Sequence, residues 1–490
     1  VRSSAASDVY KRQMKKNILI DYALMSLALL ISSCADFLNQ EPISNSSVTG
    51  FYKTQADIEQ GVAGAYNSLQ SYKQYGANFI FFMEVRSDNT YTESITTSGG
   101  LYGDFDLFRT VPTNSILDLT WAGCYEGIQR CNLVLGNIDN IVMSEDLKKQ
   151  YKGEMLFIRA LTYFNLVRIW GDVPLVTEEV KDPFDAFEFT RTPVSEIYQQ
   201  IVTDLNDASE LLSEKVAVSK TGSVTAGAAN ALLGKVYLTL KDYSKAEVAL
   251  KKVIDSKVYK LLDNYADVFD VTNKNSAESI FEIQYNKDVT DQGSRFANIF
   301  APKGSTEVTG GVGTSLGDNT PTEDLYRKYE EGDLRRDVSI GQVADGRIYC
   351  KKFVVAPVLP NQSDANFIVL RYADVLLMYA EALNEKGYKA DGNALNYLND
   401  IHERAGLKAY TTDELSSQEL FREAVWKERR FELAFENHRW FDLLRTGKAV
   451  EIMNSSVNGE FIVETYQLLF PIPQSQIDAS PNKMTQNDKY

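Results

Sequence analysis

The stretch SSQELFREAVWKERRFELAFENHRWFDLLRTGKA, Ser416 to Ala449, decides how the rest of the chain is read. Trp426, Phe431, Phe435 and Trp440 are interleaved there with a mixed-sign series of Glu428, Arg429, Arg430, Glu432, Glu436, Arg439, Asp442 and Arg445. Ser416 and Glu419 have capping-box spacing and Gly447 is a stop signal, so a capped helical segment is predicted. Glu436/Arg439 and Arg439/Asp442 stand three residues apart, where opposite charges meet on one helix face. Such a segment wedges into a core with its charges satisfied along its flank. It is scaffold, not a catalytic site.

Helical periodicity extends outward on both sides. Thr54 and Asp57 open a helix whose Ile58, Val62, Ala65, Tyr66 and Leu69 share one face. A helix over Trp121 to Ile138 follows, and then one over Leu147 to Trp170 that is apolar nearly all round, the mark of a buried helix. Gly171 and Pro174 end it, and Val194 to Leu212 is amphipathic again. Ala228 to Ser256 reads as two helices around a short turn. The spacing Tyr243, Ala249, Leu250, Val253 recurs as Tyr388, Ala394, Leu395, Leu398, a helix-turn-helix pattern similar to a tetratricopeptide repeat. The copies are offset by 145 residues, not a multiple of the usual repeat of about 34, so the array is interrupted.

The interruption, residues 259–366, holds short apolar alternations such as SIFEIQY, the segment GSTEVTGGVGTSLGDN and a hairpin turning at Asp345-Gly346. Residues 73–115 also lose periodicity and read as long loops, which in a compact domain are more often functional than idle. The expected fold class is therefore mainly all-α: a tetratricopeptide-like α-α superhelix with an irregular loop-rich region and minor β-hairpins.

With 490 residues, 44% of them apolar, the chain can bury a sizeable core. A net charge of −16 argues against a nucleic-acid role that depends on phosphate neutralisation. Residues 1–13 precede the first Met and read as an upstream extension foreign to the native protein. Residues 14–33 read as an export signal: Lys15 and Lys16 precede a ten-residue apolar run, Tyr22 to Ile31, too short to span a bilayer. Ile31-Ser32-Ser33-Cys34 resembles a bacterial lipoprotein cleavage box, which makes Cys34 the lipidated first residue of a single domain over 34–490, with loop-rich insertions around 73–115 and 259–366. That mature chain carries 46 basic against 65 acidic residues, a charge of −19, so acyl chains and not a basic patch would anchor it. Cys124 and Cys131, roughly 10 Å apart on one helix, are beyond disulfide reach. With Cys350 they are expected to be buried free thiols.

Little in the sequence suggests chemistry. His402 and His438 are the two histidines; each is expected to be structural, so a Ser/His/Asp site or a His-rich metal site is not predicted. GGVGTSLG matches neither phosphate-cradling glycine motif. No carboxylate pair stands out for glycoside hydrolysis. No cofactor, metal or catalytic residue is assigned. The remaining device is aromatic: Tyr and Phe in loops can stack on the C–H faces of sugars while Asn, Asp and Arg bond the hydroxyls. The candidates are Tyr91, Tyr102, Phe105, Tyr285 and Phe296, with Arg86, Asp88 and Asn89. All four Trp lie in helical patterns, so no Trp platform is expected.

Taken in order, SCADFLNQEP, WAGCYEGIQRCNLVLGNID, FIRALTYFNLVRIWGDVPLV, RYADVLLMYAEALNE, ERRFELAFENHRWFDLLRTGK and LLFPIPQSQIDASPNKMTQN together resemble the SusD/RagB family of Bacteroidetes outer-membrane lipoproteins, over Cys34 to Tyr490. The resemblance implies four tetratricopeptide-like units packed against an irregular region, a lipid anchor in the outer leaflet of the outer membrane facing the cell exterior, and a lid-like partnership with a SusC-like TonB-dependent transporter. It implies a non-enzymatic nutrient-binding protein that captures oligosaccharides or polysaccharide. A peptide-binding member of the same family is the alternative, and an exported glycoside-cleaving enzyme a third reading. The matching motifs are scaffold motifs, so no binding residue is carried over from them.

Overall fold

The computed structural model describes residues 51–456, 461–481 and 483–490. The extension over 1–13, the export signal and Cys34 lie outside the described residues. Ile58–Tyr490 form one compact unit.

In chain order the first part runs α1 (Gln55–Gln70), α2 (Phe79–Met83), β1 (Thr90–Tyr91), α3 (Gly103–Asp106), α4 (Ser115–Asn137), α5 (Glu145–Trp170), α6 (Val194–Leu211), α7 (Ala226–Thr239) and α8 (Tyr243–Ser256). The middle holds β2 (Ser279–Ile283), α9 (Phe296–Phe300), β3 (Thr320–Pro321), α10 (Glu323–Lys328), α11 (Arg335–Ser339), β4 (Ile340–Gln342), β5 (Ile348–Cys350) and β6 (Phe367–Arg371). Then come α12 (Tyr372–Lys386), α13 (Asn393–Arg404), α14 (Gln418–Glu432), α15 (Arg439–Arg445) and α16 (Ala449–Ser456). The fold is mainly helical, as the periodicity predicts.

The helices pack as a relay: α4 on α5, α5 on α6, α6 on α7, α7 on α8, then α8 directly on α12, and α12 on α13 and α14. The interruption therefore leaves the superhelix unbroken, because the chain departs after α8 and returns to the same stacking position at α12. Small residues make the close approach possible. A Cβ on Gly234 of α7 would stand 2.5 Å from Leu250 of α8. At the far end Leu376, Leu377, Leu398, Ile401, Phe421 and Val425 fill the core between α12, α13 and α14.

The interruption contributes short antiparallel pairs. β4 and β5 form the predicted hairpin, pairing Ile340 with Cys350 and Gln342 with Ile348. β2 pairs with β6, Ser279 opposite Arg371 and Ile283 opposite Phe367, and every residue of both strands is buried. Cys124, Cys131 and Cys350 are buried free thiols.

Two expectations need correction. The segment 73–115, mostly turns and irregular chain around the short α2, α3 and β1, does not lie at the surface throughout: every residue from Phe79 to Thr90 is buried. Its composition looks loop-like because buried polar groups, many of them ion-paired or hydrogen-bonded, replace the usual apolar periodicity.

The segment 416–449 is not one helix either. Ser417, not Ser416, caps it, its side chain accepting from the Leu420 N–H. The helix then stops at Glu432 and restarts at Arg439. Between them Phe435 and Asn437 take positive φ, +70° and +63°, because the buried Glu84 carboxylate accepts from both of their backbone N–H groups, each at 3.0 Å. A distant side chain thus supplies the bonds that a continuing helix would have made. Burial pushes the Glu84 carboxyl up to about 7.

The break redirects the charges as well. Neither Glu436/Arg439 nor Arg439/Asp442 pairs along the helix. Arg371, at the end of β6, donates to Glu436 at 2.7 Å, to Glu432 at 2.5 Å and to Glu278 at 2.9 Å. Arg404 reaches Glu278 and Glu432, Arg335 reaches Asp333, Glu428 and Glu432, and Lys352 reaches Glu436. All of these groups are buried, so the array is a closed electrostatic core in which each charge has opposite neighbours.

Acid should unlock this core. Burial alone would raise the Glu432 carboxyl, but Arg404, Arg371 and Arg335 outweigh it and hold it well below the ordinary range. Glu428 and Glu436 are likewise lowered against burial, Glu428 by Arg335 and His402, Glu436 by Arg371 and Lys352. Groups lowered in the folded state stabilise it above their unfolded value, about 4.5, and that contribution is lost as pH falls further. Glu84 and Glu154, both pushed up to about 7 by burial, act with the opposite sign, but only between about 7 and 4.5. The urea midpoint should therefore fall steeply below about pH 4.5, each lowered carboxylate adding up to ~1.4 kcal/mol per pH unit. A midpoint that is flat from pH 5 to 3 would contradict this.

Candidate functional site

The structure places six of the eight nominated residues inside the protein. Arg86 is 1% exposed. Its guanidinium lies between the rings of Phe108 and Phe470, at 4.1 and 4.0 Å from their centroids, and donates to the Gln467 carbonyl. Burial draws its pKa down to about 10. Asp88 accepts from Arg439 at 2.7 Å and pairs with Arg430 at 2.9 Å, and Asn89 accepts from Arg430. Phe105 packs on Phe82 at 4.8 Å. Phe296 stacks on Phe300 and meets Tyr285 edge-on, and the Tyr285 hydroxyl donates to the Gln70 carbonyl at 3.3 Å. These six are corrected from surface contacts to core: the mixture of rings and charged groups that suits a sugar also builds a polar interior.

Tyr91 and Tyr102 remain at the surface. Tyr91 is 38% exposed, with Glu93, Asp106, Glu323 and Arg347 the charged groups acting on its phenol. Half-buried Tyr102 rests on Phe81, ring centroids 5.0 Å apart. Burial raises its phenol pKa, and Asp318, Arg295 and Tyr72 are within electrostatic reach of it. Tyr72 is 41% exposed, and the exposed Arg295 guanidinium stands 5.5 Å from the centroid of its ring. Tyr72 and Arg295 thus share one open face, and half-buried Tyr102 is close enough to act on both electrostatically.

That face is fixed from behind. After α1 ends, the chain folds back on itself: the Gly76 N–H donates to the Ser71 carbonyl at 3.0 Å and the Asn78 N–H to the Tyr72 carbonyl at 2.9 Å. The Gln74 side chain donates to the Gly123 carbonyl, pinning this turn to α4. On the other side, the Glu93 N–H bonds the Gly317 carbonyl at 2.8 Å, the Ser94 hydroxyl bonds the Leu316 carbonyl, and the Thr92 hydroxyl bonds Asp318 at 2.5 Å. Leu316, Gly317 and Asp318 donate in turn to the carbonyls of Asn298, Ala301 and Ile299. Segments near residues 72, 93, 298 and 317 are therefore held with little freedom to rearrange. Arg295 immediately precedes α9, next to Ser294, which exchanges two backbone bonds with Ser363.

Chemically the face offers tyrosine rings for stacking and a guanidinium for hydroxyl oxygens. The two histidines are elsewhere: buried His402 bonds Glu428 at 2.8 Å and stacks on Tyr410, and half-buried His438 lies 3.3 Å from Lys235. Sequence reasoning missed Tyr72 and Arg295. Tyr72 lies just past the end of an apolar-striped helix, and Arg295 is one residue before the nominated Phe296. On a short helix one step in sequence turns a side chain from core to solvent, which composition does not reveal.

Comparison with known proteins agrees with this architecture. Residues 237–490 match the model of the SusD family, and residues 36–238 match a model described as starch-binding associating with outer membrane. SusD-like protein P38 of Formosa agariphila is 30% identical, the alignment covering 97% of this chain and 99% of that protein. SusD-like protein P25 of the same organism is 28% identical, over 96% and 98%. The solved structure of a laminarin-binding SusD-like protein, 27% identical, superposes with a TM-score of 0.77 over 90% of this chain and 100% of that one. Surface glycan-binding protein A from Bacteroides thetaiotaomicron, solved in complex with laminarihexaose, is 23% identical with a TM-score of 0.77 over 89% of this chain and 100% of that one, and shares the fold. The chain belongs to the SusD family.

Proposed function

We propose, from that membership and from the open aromatic face, that the protein binds oligosaccharide or polysaccharide at Tyr72, Tyr102 and Arg295 and passes it to a SusC-like TonB-dependent transporter. The observation that carries the reading is Tyr72, left 41% exposed beside an exposed guanidinium on segments that backbone bonds hold still. A rigid platform loses little conformational freedom on binding, so stacking and hydroxyl contacts are retained as affinity. The relative described as laminarin-binding supports glycan as the ligand class.

Among the described residues no helix is long and apolar enough to cross a membrane. Attachment to the outer leaflet of the outer membrane, facing the cell exterior, is assigned to acyl chains on Cys34. Binding without cleavage is part of the proposal: the tyrosines and arginine of the face hold a sugar but offer no acid-base pair for hydrolysis.

Affinity electrophoresis against a glycan panel and a peptide panel tests this. Tyr72→Ala should weaken glycan retardation by at least about tenfold, the loss of ~1.4 kcal/mol, with a nearly unchanged melting temperature because the side chain sits at the surface edge of the core. Incubation with the bound polysaccharide should release no new reducing ends. Binding only to peptides would replace the glycan reading with the peptide one, and product release would replace both with an enzyme.

A further inference from the structure

Beside the Tyr72–Arg295 face lies a trough of about 640 Å³, bounded by the outer side of α1, the loop Thr221–Ser223 and the chain after β2 from Gln284 to Gln292. It adjoins the face through two chain segments. Gln70 is two residues before Tyr72, and its side-chain amide donates to the carbonyls of Gln284 at 2.8 Å and Gln292 at 3.4 Å. Gln292 is three residues before Arg295. The volume falls in the range of small-ligand pockets, about 300–1,000 Å³.

The lining is what identifies the ligand. Asn67, Gln70, Gln284 and Gln292 present amides, and Tyr66 and Ser223 add hydroxyls. The charged group in the lining, Glu282, is 4% exposed and already accepts from the Asn275 N–H at 3.0 Å and from the Asn366 amide at 2.7 Å. Gln284 is oriented by a reciprocal amide pair with Asn275, both bonds 2.9 Å. Gly222 lets the loop lie flush: its φ is +92°, and a Cβ there would stand 2.8 Å from the Gln284 side chain. Amides donate and accept, as do sugar hydroxyls, so each can match a hydroxyl in either sense. Among the trough's lining residues no cation is present to meet a carboxylate or sulfate ester.

A second cavity, about 450 Å³ between α14 and α16, presents the opposite chemistry. Its cations Lys328, Lys427, Arg429, Arg430, Arg439 and Lys448 are already paired with Asp324, Glu330, Asp442, Asp88 and Glu451, so it belongs to the scaffold's ion-pair array.

We infer that the amide-lined trough is a second contact region for the glycan held at Tyr72, and that the polysaccharide it reads is uncharged. The inference rests on the glycan-binding reading of the face. Affinity electrophoresis of wild type, Tyr72→Ala, Asn67→Ala/Gln292→Ala and Asn67→Trp tests it, using laminarin, starch, xylan and mannan as uncharged probes and alginate and polygalacturonate as charged ones. At least one uncharged probe should retard the wild type. The Asn67→Ala/Gln292→Ala variant should bind that probe about threefold to tenfold more weakly, and Asn67→Trp, which fills the trough, should do so with an unaltered melting temperature. Retardation by charged probes alone overturns the assignment of ligand class. Unchanged affinity in both trough variants, with Tyr72→Ala still abolishing retardation, removes the trough and leaves the face standing. No retardation by any polysaccharide overturns both.

Discussion

Arg371→Met should cost about 3–5 kcal/mol of stability at pH 7, the usual effect of removing one partner from a buried charge array. The side chain is fully buried and its guanidinium bonds Glu278, Glu432, Glu436 and the Glu432 carbonyl. Methionine fills the volume but leaves three carboxylates facing each other with fewer cations. Arg371→Lys should rescue little, because one ammonium cannot reproduce a planar fork that serves three carboxylates at once.

The sign of the pH dependence separates this mechanism from simple loss of packing. Without Arg371, protonation of Glu432 and Glu436 becomes easier in the folded state, which relieves the repulsion. The stability gap between Arg371→Met and wild type should therefore be widest near pH 8 and narrow toward pH 5. Urea denaturation followed by circular dichroism at the two pH values measures it. A gap below about 1 kcal/mol at pH 7, or one that widens in acid, would show that the array is not held by charge complementarity.

The helices were legible in the sequence because their apolar stripes are local: Ile58, Val62, Ala65 and Leu69 are buried as their spacing predicts, and α5 is buried on nearly every side. The repeat offset between Tyr243 and Tyr388 marked the interruption, and the two helices that carry the copies, α8 and α13, both pack on α12. The break after Glu432 was not legible, since the carboxylate that causes it, Glu84, is more than three hundred residues away. The site failed for a related reason. Arg86, Asp88 and Asn89 resemble a sugar-binding triplet by residue type, yet their partners Phe470, Arg439 and Arg430 come from distant chain and take them into the interior. Exposure is a tertiary property, and only Tyr72, Tyr91, Tyr102 and Arg295 have it among the aromatic and cationic residues considered for the site.

Trp440→Ala should also cost about 3–5 kcal/mol, the range for deleting a large buried aromatic, while leaving glycan affinity within about twofold of wild type. Trp440 is 1% exposed in the first turn of α15, edge-on to Phe108 at 5.6 Å, with the Arg86 guanidinium 5.5 Å from its ring. Its removal opens a cavity beside a buried cation, so the loss combines packing with weaker cation–π support. Contacts run on from there through Phe108, Arg86, Phe470, Phe105 and Phe81 to Tyr102. The aromatic core that holds α15 therefore reaches the proposed binding face. The face itself is held by separate bonds, the backbone lacing of Glu93 to Gly317 and of Asp318 to Ile299, together with the turn at Tyr72. Because those bonds do not pass through Trp440, scaffold stability and ligand contact should separate in this variant. Trp440→Phe, which keeps a ring against Phe108, should recover about half of the lost stability. A Trp440→Ala protein that melts like wild type yet binds no glycan would place the ligand site at α15 and away from Tyr72.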